Sequence, residues 1–131
     1  MGEIERFTVT PHARVPVEAF GGYLLSKNQW GWVLGKSERT LQRWEREIIG
    51  SNISFASIYH FKKIKPGQII NPSPLDGYRR FILLAIYSLK SGIIDGRKYS
   101  NSEVIEYFAD KQDCFLRSNF SAWLKAKGVK S

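Results

Sequence analysis

The stretch Gly35-Lys36-Ser37-Glu38-Arg39-Thr40-Leu41-Gln42-Arg43-Trp44-Glu45-Arg46 decides how this chain reads. Gly35 is the residue expected just beyond a helix end, because it enters left-handed backbone without a Cβ clash. Ser37 follows as a preferred N-cap, and strong helix formers fill residues 38–49. Leu41, Trp44 and Ile48 fall at i, i+3 and i+7 of that run, which predicts one buried stripe. Arg39, Gln42, Arg43 and Arg46 occupy the opposite face. Upstream, residues 27–34 carry Trp30, Val33 and Leu34 on one side of a preceding helix. Two short helices about a tight turn predict a helix-turn-helix, whose second helix lies in the major groove of duplex DNA. Arg pairs two-pronged with guanine and Gln with adenine, and the amides around Ser37 suit a phosphate. Lys36, Ser37, Arg39, Thr40, Gln42, Arg43 and Arg46 are therefore the candidate DNA contacts. An ordinary amphipathic helix is the competing reading, with Glu38, Glu45 and Glu47 offering partners such as Glu47 for Arg43.

Bulk properties agree with a nucleic-acid partner. Among 131 residues, 20 Lys and Arg against 12 Asp and Glu leave a formal charge of +8, a field that attracts polyanions. A 43% hydrophobic content excludes a disordered tail. The single cysteine, Cys114, allows no intrachain disulfide, so a reducing compartment is expected, the bacterial cytoplasm or nucleoid. The acidic first residues do not read as a signal peptide, and the longest apolar run, residues 81–87, is too short to cross a bilayer, so no membrane partner is expected. No Gly-rich phosphate loop, Gly-x-Ser-x-Gly turn or His-Glu-x-x-His occurs, so no enzyme is expected. With His12, His60 and one cysteine the chain offers no metal-ligand set, and no cofactor is expected. Glu103, Glu106 and Asp110 line one side of a helix, which reads as a solvated acidic face rather than a nuclease metal site.

Outward from the motif, residues 4–10 suggest a short strand, and residues 17–26 a helix weakened by Gly21 and Gly22. Residues 53–70 are β-branched, aromatic and basic, with Pro66-Gly67 at the centre of a type II turn, which predicts a β-hairpin. Lys62, Lys63 and Lys65, beside Phe61 and Ile64, either reach DNA or fringe an edge strand. A Pro- and Ser-rich loop at residues 71–77 divides the chain. Residues 1–70 would be a DNA-binding region with a basic hairpin and residues 71–131 a helical region, or both would form one compact domain. Residues 78–89, apolar nearly all round, predict a helix buried on several sides or shared between subunits. Ser100 and Glu103 form a capping box. In a last helix, residues 114–127, Leu116, Phe120, Trp123 and Leu124 align as a stripe that either dimerises the protein or folds onto its own core. The expected fold is mainly α with a small β hairpin.

The residues Gly35, Ser37, Arg39, Thr40, Leu41, Trp44, Glu45 and Arg46 resemble the DNA-reading element of the MerR family of transcription regulators. Gln42 and Arg43 depart from that family's pattern. Gly77-Tyr78-Arg79-Arg80-Phe81 is similar to the Gly-Tyr-Arg-x-Tyr of the MerR wing, which implies DNA contacts at Tyr78, Arg79 and Arg80. The later helices resemble that family's second helix pair. The resemblance implies a winged helix-turn-helix regulator, with the wing at residues 58–70 or at residues 77–81. The chain beyond Phe108 is too short for the coiled coil and effector domain of ligand-sensing members, so promoter occupancy by a homodimeric repressor is the expected mechanism. An excisionase-like architectural factor shares the motif, and an antitoxin or adaptor is the alternative outside DNA binding.

Overall fold

The computed structural model describes residues 15–65, 74–93 and 96–130. The strand expected at residues 4–10 and the tip of the hairpin from Pro66 onward lie outside them. Six α-helices form among the described residues: α1 (Lys27–Leu34), α2 (Glu38–Glu47), α3 (Ile53–His60), α4 (Gly77–Lys90), α5 (Asn101–Asp110) and α6 (Arg117–Ala126). The mainly α expectation is met.

Helix α4 is the axis of the molecule. Eleven of its 14 residues are buried, including Phe81, Ile82, Leu83, Leu84, Ala85 and Ile86 in sequence, so neighbours cover it on nearly every side. Helices from both halves of the chain supply that cover, and they share one hydrophobic core. On one side the Trp30 indole of α1 donates to the Arg80 carbonyl at 3.1 Å. On another, Phe81 packs edge-on and tilted against Phe20, Phe120 and Trp123, with centroids 5.5 Å away in each case. The three rings join the first described turn to the last helix. No described helix is long and apolar enough to cross a membrane.

Three expectations are corrected. Residues 17–26 do not make a helix; a short 3-10 turn, Val17–Phe20, ends at Gly21 in extended backbone. The reason is Arg80, which lies wholly buried on α4 and takes the carbonyls of Ala19, Gly21, Tyr23 and Leu75 at 2.7–3.0 Å. The Ala19, Gly21 and Tyr23 carbonyls are ones a continuing helix would have spent internally. Among the described residues this buried guanidinium bonds to backbone carbonyls rather than to a carboxylate, and the Tyr23 ring lies 4.4 Å beneath it.

The first strand of the expected hairpin is instead α3. The Asn52 side chain caps it by accepting from the Phe55 amide at 3.0 Å, and Phe55, Ala56 and Tyr59 bury one face. Helical spacing and a cap outweigh the β-branched and aromatic composition. The only strand-like pairing among the described residues is a single antiparallel bridge, Leu25 with Leu75.

The last helix begins at Arg117, after a 3-10 turn (Gln112–Phe115), rather than at Cys114. Phe120, Trp123 and Leu124 are buried in the chain's own core, and of the expected dimerisation stripe only Leu116 is exposed. The stripe folds back because α4 has an apolar side that nothing else covers.

Candidate nucleic-acid interface

Helices α1 and α2 meet at a three-residue turn. Gly35 adopts φ 72° and ψ 30°, the left-handed cap conformation, and the Lys36 amide then bonds back to the Gly31 carbonyl at 2.8 Å. The turn lies so close over α1 that a Cβ on Gly31 would collide with the Lys36 carbonyl oxygen. Ser37 caps α2 by accepting from the Thr40 amide at 3.1 Å, and its hydroxyl also meets that of Thr40 at 3.0 Å. Both hydroxyls are therefore parts of the turn.

A buried polar triad fixes the angle between the helices. The Lys27 ammonium of α1 pairs with Glu45 of α2 at 2.6 Å, both side chains out of solvent. The Tyr59 hydroxyl of α3 donates to the other carboxylate oxygen of Glu45. Burial, reinforced by the Glu45 charge, holds the Tyr59 phenol well above its ordinary pKa, so it remains a donor. Glu45, which the competing reading counts among the solvated charges, is thus an internal strut.

With Leu41, Trp44, Glu45 and Ile48 turned inward, α2 presents Glu38, Arg39, Arg43, Arg46 and Glu47 to solvent. Gln42, half-buried, donates to Glu38 at 3.2 Å, and Arg46 pairs with Glu47 at 3.6 Å. Lys36 is exposed at the turn, its ammonium 5.7 Å from the centroid of the Tyr87 ring on α4. One turn beyond Tyr87, Lys90 donates to the side-chain Oδ1 of Asn101 at the start of α5. Its ammonium is held below the ordinary lysine value by partial burial, then by the Arg43 charge, with Glu47 opposing and Lys36 adding. Lys90 is therefore within electrostatic reach of Lys36 and Arg43. Composition offers no sign of this, because the long helix that carries Lys90 reads only as core. Beside Lys36 a groove of about 340 Å³ runs between Trp32, Val33 and Tyr87, and Trp32 on its rim is 85% exposed.

The remaining candidates divide. Lys62, Lys63 and Lys65 are exposed just past the end of α3, where Phe61 adopts a positive φ of 54°. Lys62 shares its electrostatic surroundings with Arg79, Lys27 and Arg117 around His60. Residues 77–81 are the first turn of α4 and not a wing. Tyr78 is 2% exposed, its hydroxyl donating to the Phe115 carbonyl, and Arg80 is 0% exposed. Neither side chain reaches the surface in this fold, so the DNA contacts expected at Tyr78 and Arg80 do not fit it. Arg79, mostly buried, donates to Asp76 and to the Pro74 carbonyl and serves the α4 cap. Within the acidic stretch of α5, Glu103 closes the capping box with Ser100 and pairs with Arg97.

Comparison of the chain with protein-family models, with curated proteins and with solved structures finds no match.

Proposed function

We propose that this chain binds specific duplex DNA through α2 and regulates transcription by occupying a promoter. One observation carries the reading: α2 is locked against α1 by a left-handed Gly35 turn and a buried ion pair, yet leaves Arg39, Arg43 and Arg46 in solvent. A rigid two-helix mount that presents a row of guanidiniums is what base readout in a major groove requires. The likeness of residues 35–46 to the MerR reading element supports the same conclusion. Residues 77–81, being helical, add nothing to it. In this reading Arg39 and Arg43 contact bases, Lys36 and Arg46 the backbone, and the protein acts in the cytoplasm or nucleoid. A two-fold dimer on a pseudo-palindromic site completes the proposal, through a surface other than the buried C-terminal stripe. Sedimentation on the bound duplex measures that stoichiometry.

Selection of bound sites from a random duplex library tests the reading, and a defined consensus is the expected outcome. On that consensus Arg43→Ala should cost about 1–3 kcal/mol and relax preference at one base pair. Absence of any enriched site would overturn sequence-specific binding, and equal weakening on every sequence would reduce Arg43 to a phosphate contact.

A further inference from the structure

Lys36, Arg43 and Lys90 come from three different elements: the motif's turn, α2 and the last turn of α4. These like charges repel each other at Lys90, and the Glu47 carboxylate acts on it against them. The fold nevertheless holds them in place. Lys36 lies over Tyr87, and Tyr87 and Lys90 fall three residues apart on one face of α4. The Lys90 ammonium is steered further by Asn101, whose side-chain oxygen accepts from it. An arrangement that concentrates cations, one of them on a partly buried stem, is relieved by a bound anion, and the nearest anion to a reading helix in a groove is the DNA backbone.

We propose that Lys90, together with Lys36 across the Tyr87 ring, forms a phosphate clamp that grips the DNA backbone beside Arg43 and sets how α2 lies in the groove. The inference rests on the DNA-binding reading. It adds α4 to the interface, so the helix that organises the core also registers the ligand.

The test is the salt dependence of binding to the selected duplex, read by fluorescence anisotropy for the wild type, Lys90→Gln, Lys90→Arg and Asn101→Ala. Lys90→Gln should lower the slope of log affinity against log salt by about one, equally on the preferred and a scrambled site. Lys90→Arg should restore the slope, and Asn101→Ala, which keeps the charge, should leave it unchanged. The thermal midpoint of Lys90→Gln at low salt should not fall, because the substitution removes a repulsion, and this separates lost contact from lost fold. A wild-type slope in Lys90→Gln would overturn the clamp while leaving DNA binding intact. So would an Asn101→Ala loss equal to that of Lys90→Gln, since Lys90 would then act through α5. If the wild type binds no duplex, the underlying reading itself fails.

Discussion

His60 ends α3 half-buried, with Arg79, Lys27, Lys62 and Arg117 all contributing positive charge around its ring. Burial first, then those cations, push its pKa down from 6.5 to about 4. Between those two values the unfolded chain takes up a proton that the folded chain refuses. Stability should therefore fall as pH drops from about 6.5 to about 4 and be independent of this group above that window. The loss should be ~1–2 kcal/mol, less than the whole shift implies because the ring is partly solvated. Denaturant midpoints at pH 7.5 and 4.5 measure it, and His60→Gln should remove that share of the acid sensitivity. An undiminished difference in the variant would reject the assignment. Single residues were legible where their roles are local, as with the Gly35 turn, the Ser37 cap and the Ser100–Glu103 box. They were not legible where a role is created from afar. Nothing around Arg80 announces that it serves carbonyls 57 to 61 residues upstream, so its basic character reads as a DNA contact.

At the scale of elements, the Lys27–Glu45–Tyr59 triad ties α1, α2 and α3. Glu45→Ala strands a buried ammonium and should cost about 3–5 kcal/mol in chemical denaturation. Lys27→Met with Glu45→Leu removes both charges at similar volume and should recover part of that loss, the rest being the cost of the buried Tyr59 hydroxyl left without its acceptor. If the double variant is as unstable as Glu45→Ala alone, the ion pair is not what the alanine disrupts. Helices α1 and α2 were readable from the sequence because their caps and apolar spacing agree. Helix α3 was not, since its β-branched and aromatic residues favour a strand locally while burial of Phe55, Ala56 and Tyr59 rewards a helix. The last turn of α4 shows the reverse case, in which a plain core helix contributes Lys90 to the candidate site.

Over the whole molecule, an apolar stripe on α6 could not by itself declare whether it faces a partner or its own chain. Phe120, Trp123 and Leu124 in fact close the core over Phe20 and Phe81. Truncation after Lys111 removes these and Phe115, and each large apolar deletion of this kind typically costs about 2–5 kcal/mol, so cooperative unfolding should be lost. Circular dichroism during a thermal melt reads the outcome, and a sharp transition in the truncated chain would contradict this packing. The same packing has a consequence during synthesis. Trp30 finds the carbonyl acceptor for its indole at Arg80, far downstream. At about 5–20 residues per second, the two-helix motif emerges from the ribosome seconds before α4 does. Through that interval the Trp30 indole lacks both its acceptor and the α4 surface that covers it, so the nascent two-helix motif carries exposed apolar surface until α4 follows.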